Sequence, residues 1–364
     1  MYNWEHPDWP NFSFSDQLRD HAEAIVSDLM IFVAETNRLP EEELADIHLE
    51  TTITEGYHSS AIEDEHLRFE DLRSSLLNNI RRGGQARPVY DRRAIAVANL
   101  LSAAAQSSNL TVSEPMLLHW HELLFADLPY PGTPGTYRSQ PQPMRIVSGP
   151  DYNQTIHYVG PPAISVPGMM KTFIEQQTSI QAPHLIRAGL GHLHFESIHP
   201  FADGNGRIGR ALLDKELLSL TGGQTAFSIS YAIHRTQNEY YAALNASQGS
   251  LDASEWLIYF LDTVTLAIDL SRELLEFTLN KLAYFQRYSA LLDSAQTKAL
   301  RRMWAAGPDG FQGGMTAKKY HRLTRVSPAT ATRDLRRLTE LGALVRRGAG
   351  RSTHYVLPSQ ESEE

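Results

Sequence analysis

At 364 residues, with a net charge of −9 and no cysteine, the chain is long enough for two or three folding units with cores stable without cross-links, and disulfides and thiolate metal sites are excluded. No run reaches the roughly 18 uncharged apolar residues needed to cross a bilayer, and Met1 to Pro7 shows no basic region followed by an apolar one, so the expectation is a soluble, untargeted protein of a reducing cytoplasm with no membrane partner. The charge is uneven: between Lys298 and Tyr355 stand 13 Lys or Arg and 3 Asp or Glu, so only that end of an acidic chain is expected to meet polyanions.

The opening, with Trp4, Pro7, Trp9, Pro10, Phe12 and Phe14, is too rich in proline for a regular element and too aromatic for a solvated tail, which predicts an arm wrapped on the body. A helix follows with Ser15 or Asp16 as cap, because Leu18, Ala22, Ile25, Leu29 and Phe32 recur at spacings of three and four. A second runs from near Glu41 towards Glu63, with Gly56 as its weak point. Helices are then predicted over Phe69 to Ile80, Val89 to Ala105 and Ser113 to Phe125, the first of them followed by an Arg-Arg-Gly-Gly turn at 81–84.

From Pro129 to Pro167 proline and glycine are dense. Two short β-prone runs, Met144 to Val147 and Ile156 to Val159, flank the turn-rich 148–153 stretch, a hairpin pattern. Helical period resumes over Pro167 to Ile180, Pro183 to Ser197, Asn205 to Leu220, Tyr231 to Gln248 and about Ala253 to Phe285. Beyond Ala295 a short helix over Thr316 to Thr324, a turn at Val326-Ser327 and a helix from Pro328 to Leu341, capped by Ser327 and stopped by Gly342, precede strand, basic turn (346–351) and strand. Helix, turn, helix and wing in that order make a winged helix-turn-helix.

The densest chemistry lies at 199–210, His-Pro-Phe-Ala-Asp-Gly-Asn-Gly-Arg-Ile-Gly-Arg. If a helix begins at Asn205, then Gly204, Asn205 and Gly206 offer unpaired N–H groups at the positive end of a helix dipole, and the glycines permit close approach of a phosphate. Arg207 and Arg210, three apart, share a helix face and can reach phosphate oxygens. Asp203 is a hard oxygen ligand placed to hold a Mg²⁺ that bridges phosphates. His199, on a loop stiffened by Pro200, has an imidazole suited to general-base work near neutrality, and Phe201 is the core anchor of the loop. His192, His194 and Glu196 are spaced by two, which is wrong for one helix face, so they are expected to be satisfied helix residues rather than a metal cluster.

This stretch resembles the Fic-domain family, whose pattern is His, any residue, Phe, any residue, Asp or Glu, Gly-Asn-Gly-Arg, two residues, Arg; every defined position matches, and a looser similarity covers roughly residues 1–290. The resemblance implies AMP transfer from Mg-ATP to a Ser, Thr or Tyr hydroxyl of a protein. His199 would take the hydroxyl proton, Asp203 would hold Mg²⁺, Gly204, Asn205, Gly206 and Arg207 would bind the phosphates, and Arg210 would reach the γ-phosphate. Tyr240 and Tyr241 resemble a pair that lines the adenine pocket in relatives, the plain alternative being core. A hairpin flap near residues 144–159 would dock the protein substrate by strand addition.

Many relatives carry a Ser or Thr, three residues, Glu, then Gly or Asn on an inhibitory helix whose glutamate pairs with the second motif arginine. Ser59 to Glu63 matches through the glutamate, with Asp64 where Gly or Asn is usual; Thr51 to Glu55 followed by Gly56 matches literally. The surrounding Ser-Ser-Ala-Ile-Glu favours Glu63, paired with Arg210 in competition with the γ-phosphate.

The expected fold is therefore mainly α, a Fic-type helical core with a β-hairpin flap plus a C-terminal winged-helix domain. Its parts are an arm and inhibitory-helix region at 1–110, the catalytic core at 111–290, the winged helix at 291–358 and a disordered tail at 359–364. Arg333, Arg336, Arg337, Arg346, Arg347 and Arg351 suit DNA contact through residues 316–357; a protein partner, the target or a second copy in a homo-oligomer, is the alternative. Two other functions stay open: a nucleotide-sensing transcriptional regulator, and an enzyme that removes AMP, with Glu63 orienting a water.

Overall fold

The computed structural model describes residues 1–80, 88–148, 155–223, 227–306 and 310–358. The chain divides into two compact units, Met1–Ser271 and Arg272–Glu364. The first opens with α1 (Gln17–Thr36), α2 (Glu41–Ile62), α3 (Phe69–Ile80), α4 (Arg92–Gln106) and α5 (Glu114–Phe125). The hairpin β1 (Arg145–Ser148) and β2 (Thr155–Val159) follows, then α6 (Val166–Ser179), α7 (His184–Ile198), α8 (Asn205–Leu220), α9 (Ile229–Arg235) and α10 (Gln237–Ser247). Among the described residues no helix is long and apolar enough to cross a membrane. The predicted 81–84 turn, the tip of the hairpin and the 359–364 tail lie outside the described residues.

The period that predicts these helices is also what packs them. Leu72, Leu76, Val97, Leu101, Leu117, Trp120, Phe195, Phe201, Ile208 and Leu212 belong to one core cluster, so α3, α4, α5, α7 and α8 share a single apolar centre. Gly56 does not interrupt α2. It lies where α4 comes closest, and a Cβ there would stand 2.8 Å from Leu101 Cδ1 and 3.0 Å from Val97 Cγ1. The missing side chain is a packing requirement, not a helix break.

Two local expectations differ and a third is met. Asp16 does not cap α1: it has helical backbone angles, and its carboxylate accepts instead from Arg19 Nε at 3.2 Å. The single helix expected from Tyr231 to Gln248 is broken at Thr236 (φ −119°, ψ 36°), whose hydroxyl bonds the Ala232 carbonyl and Tyr259; tertiary packing of α9 on α2 overrides the helical period. The N-terminal arm does wrap on the body, with Asn3 N–H donating to the Gln248 carbonyl and Trp4 Nε1 to the Val159 carbonyl of β2.

β1 and β2 pair antiparallel with a register shift between Ile146 and Val147, forming the two-stranded hairpin expected of a flap. α11 (Ser254–Tyr288) begins in the first unit, and its later turns belong to the second. There it is joined by α12 (Ser294–Trp304), α13 (Ala317–Thr324), α14 (Pro328–Glu340) and the antiparallel pair β3 (Val345–Arg347) and β4 (His354–Val356). Leu300, Trp304, Tyr320, Leu335, Leu338 and Leu357 form its core. α12, missed by the reading above, carries a signal: Asp293 and Gln296 form a capping box. Ser327 caps α14 by accepting from Thr330 N–H, and Gly342 follows at φ 74°.

Gly56→Val is expected to lower unfolding stability by about 1–3 kcal/mol, the usual cost of overpacking. Gly56→Ala is expected to cost less, because Leu101 Cδ1 is the far end of a flexible side chain and helix propensity is gained. Urea midpoints at unchanged slope check both.

Candidate functional site

The motif loop joins the C-terminus of α7 to the N-terminus of α8. His199 closes α7 in the left-handed conformation (φ 50°), which costs a non-glycine residue and persists only if its surroundings hold it. Those surroundings are built from Arg138, 5% exposed. Its guanidinium donates to the carbonyls of His199 (2.7 Å), Pro161 (2.6 Å) and Ile198 (3.2 Å), and its N–H to the Pro200 carbonyl. Tyr158 of β2 donates to the Ser197 carbonyl at 2.6 Å. The orphan carbonyls at the end of α7 are thus satisfied, and the base of the hairpin is tied to His199.

Phe201 is fully buried and stacks on His121 at 4.1 Å. His121 Nδ1 accepts from Gly135 N–H, so its proton sits on Nε2 and is aimed at the Asp203 carbonyl, 3.3 Å away. Burial pushes His121 down to about 4, which keeps it neutral. The side chain of Asn205 is spent on the loop, accepting from Phe201 N–H and donating to the Phe201 carbonyl. What it can offer an anion is its backbone N–H. Gly204, at φ 84°, leaves no room for a Cβ, which would stand 2.7 Å from Phe125.

Arg210 is 1% exposed. Its Nε donates to Ser59 Oγ at 3.0 Å, and one terminal nitrogen donates to the Ser59 carbonyl (2.7 Å) and to Glu63 Oε1 (2.8 Å). A Cβ on Gly206 would collide with that same Glu63 oxygen, so the carboxylate rests directly on the first turn of α8. Burial works against its charge, but the Arg210 guanidinium, helped by Arg207 and His199, holds the Glu63 carboxyl below the usual range. Arg207, 4% exposed, donates to Glu65 at 2.9 Å, approaches Asp203 to 3.6 Å and lies over the Phe125 ring. Both motif arginines therefore face carboxylates.

The two glutamates reach them because α2 ends in a tight reversal. Asp64 adopts φ 57°, its N–H bonds the Ala61 carbonyl, and Glu65 N–H bonds the Ser60 carbonyl, the paired pattern of a Schellman stop. That is why glycine or asparagine suits this position, and aspartate is among the few other residues that tolerate it. Glu55, the literal match, is elsewhere: it is 1% exposed and accepts from Ser228 Oγ, Ser230 N–H and Ser230 Oγ. Tyr241 and Gln237 both donate to the Ile62 carbonyl at the end of α2. Tyr240 is buried, its hydroxyl 2.8 Å from His192 Nε2. His192 Nδ1 faces the Gly209 carbonyl and must donate, so Nε2 accepts from the tyrosine. His192 is thus satisfied, whereas His194 Nε2 and Glu196 Oε1 are buried with no hydrogen-bond partner.

Asp203 is about half exposed and is one carboxylate; no group of three or more His, Asp or Glu among the described residues could hold a metal. This donor set fits a cation shared with a ligand's phosphates and not one held by protein alone. Sequence reasoning missed Glu65 and Arg138; the first stands two residues after the glutamate singled out above, and Arg138 gave no signal, since the partners it shows are main-chain carbonyls.

A helical bundle with this loop, an α2 stop seated on it and a hairpin tied to it defines a Fic-type fold. Residues 111–217 match the Fic/DOC family, so the chain carries a domain of that family, and residues 2–81 match a domain of unknown function, DUF4172. A Fic family protein from Desulfovibrio desulfuricans has a similar structure, with TM-score 0.56 and 21% identity over 97% of this chain and 99% of that one. A Fic domain-containing signaling protein from Bacteroides thetaiotaomicron has TM-score 0.50 and 17% identity over 68% of this chain and 98% of that one. A probable protein adenylyltransferase of Aquifex aeolicus is 28% identical over 170 residues, 46% of this chain, which spans about half (47%) of that relative's length.

At residue 64, Asp64→Val is expected to destabilise by about 1–2 kcal/mol, the cost of a left-handed conformation for a side chain with no local hydrogen bond to offer. Asp64→Gly is expected to stay within about 1 kcal/mol of the parent. Chemical denaturation of the three proteins decides.

Proposed function

We propose that the chain is a protein adenylyltransferase held inactive by its own α2. The observation that carries this reading is the Glu63 carboxylate lying on Gly206 and bonded to Arg210: an anion already sits where an N-terminal helix turn and a buried guanidinium would take a phosphate. The name of the Aquifex relative supports the activity and, with it, ATP as the donor substrate.

In the working state the γ-phosphate takes Arg210 from Glu63, and Arg207 leaves Glu65 for a phosphate. The N–H groups of Asn205 and Gly206 hold the remaining oxygens, and that of Gly204, predicted as part of the same cradle, is instead donated to Asp203 Oδ1 at 2.6 Å. His199 accepts the proton of a Ser, Thr or Tyr hydroxyl, the oxygen bonds the α-phosphorus, and the bond to the leaving pyrophosphate breaks. Asp203 would hold Mg²⁺, which when bound offsets phosphate charge. Tyr241, against the Ile62 carbonyl, has its place beside the adenine-binding side, with Tyr240 as support. The β1–β2 pair, within the flap predicted at 144–159, would add an extended target segment as a further strand.

A second reading adds DNA contact through the C-terminal unit. In this reading α13, α14 and the β3–β4 pair would act as a winged helix-turn-helix, and a groove of about 1020 Å³ there is lined by Lys318, Arg336 and Arg346 among others. Arg333, Arg336, Arg337 and Arg346 are exposed, a placement suited to phosphates.

With α-labelled ATP and Mg²⁺, Glu63→Gly is expected to incorporate label well above the wild type, by at least about tenfold, and Glu63→Gly with His199→Ala to incorporate none; equal labelling of Glu63→Gly and wild type rejects the inhibition. In a gel shift, duplex DNA is expected to be retained at low salt and released as salt rises. No retention at low salt rejects the second reading.

A further inference from the structure

Glu196 is a carboxyl that nothing above employs. It lies three residues before His199 on α7 and is 5% exposed. Its Oε1 has no hydrogen-bond partner, and its Oε2 stands 3.7 Å from His199 Nδ1, which has none either. A buried imidazole nitrogen without a partner is costly unless it pairs; the carboxylate oxygen that faces it is Glu196 Oε2, and catalytic hydrogen bonds are often long before a ligand closes the site. The room is built: a Cβ on Gly209 of α8 would run into Glu196 Oε1, and the left-handed backbone of His199 turns its ring back over the end of α7. Base catalysis at His199, as read above, uses only one ring nitrogen and leaves Nδ1 without a task.

We infer that Glu196 is a positioning residue that selects the tautomer of His199. Ionised, it accepts the Nδ1 proton and leaves the Nε2 lone pair free for a hydroxyl. Protonated, it donates to Nδ1, the ring carries its proton on Nε2, and His199 cannot act as a base. This rests on the reading of His199 as the general base. The groups facing the pair are Arg210 from α8, Glu63 from α2, Tyr240 and Tyr241 from α10, Arg138 from the segment before β1, and His192 one turn back on α7. Burial pushes Glu196 up to about 8, against the pull of Arg210 and with a further push from Glu63. Burial and Arg138 push His199 down to about 4, against the opposite pull of Glu63 and of the Glu196 main-chain carbonyl. Between these values both groups are neutral and the ring is in its idle tautomer, so the acid limb of the rate belongs to Glu196 and lies near pH 8.

The direct test is ¹⁵N NMR of the full chain labelled at histidine, with the His199 signals assigned by their loss in His199→Ala. In the wild type, His199 is expected to pass from the Nε2–H to the Nδ1–H form as pH rises through about 8, and in Glu196→Gln to show no such exchange. A wild-type tautomer that stays constant across that range overturns the inference, with no need for the variant to fold or for any activity. In the Glu63→Gly background, Glu196→Gln is expected to lower kcat on the order of 100-fold while KM for ATP moves less than about twofold, and to abolish the acid limb. An unchanged kcat, or a loss carried by KM, also overturns it. If Glu63→Gly transfers no AMP at all, the functional reading fails, and the tautomer titration alone still decides the role of Glu196.

Discussion

Arg210 is a guanidinium almost wholly removed from water, and a cation in that position needs a charged partner. Among the described residues that hydrogen-bond to it, Ser59 supplies a hydroxyl and a carbonyl, and Glu63 supplies the charge. Much of the site follows from that one requirement. The helix that carries Ser59 and Glu63 must end at the α8 N-terminus, so α2 is long, continuous through Gly56, and stopped sharply at Asp64. The fold is built around an anion position, and in the protein alone a carboxylate fills it.

Two left-handed residues end the helices that lead to this position, His199 after α7 at φ 50° and Asp64 after α2 at φ 57°. Each is bought with hydrogen bonds to its neighbours, Arg138 and Tyr158 on the carbonyls around one, the Schellman pair around the other. Strain held this way stores precision: the imidazole and the two glutamates are directed by backbone geometry rather than by flexible side-chain rotamers. A release of α2 would free both arginines together, since Glu63 and Glu65 lie on either side of the same reversal and hold Arg210 and Arg207 respectively.

The titratable groups near His199 are unusual in their number and burial. His192 and His194, like His199, are pushed down by burial, and Glu196 is pushed up. A site of neutral groups around buried arginines keeps the local potential positive, which suits an anionic substrate and makes Glu63 the natural occupant without one. The C-terminal unit concentrates positive charge by another route, on exposed arginines of α14 and β3.

The helical elements were legible in the chain because their apolar spacing is also their packing face: Phe69–Ile80 and Asn205–Leu220 appear as read. The loop at 199–210 was legible because its residue types are demanded by position, a glycine at φ 84° and an asparagine folded back on Phe201. What pattern could not supply was anything set by approach between distant segments. Glu55 and Glu63 lie on one helix and both fit a loose motif; only the packing of α9, with Ser228 and Ser230, takes Glu55 into a hydrogen-bonded pocket and leaves Glu63 to Arg210. The break at Thr236, the Glu65–Arg207 pair and the Arg138 clamp are of the same kind. Local sequence determined which groups exist and which faces they occupy, and tertiary structure decided which charge meets which, because a buried ion pair depends on distances that no periodicity encodes.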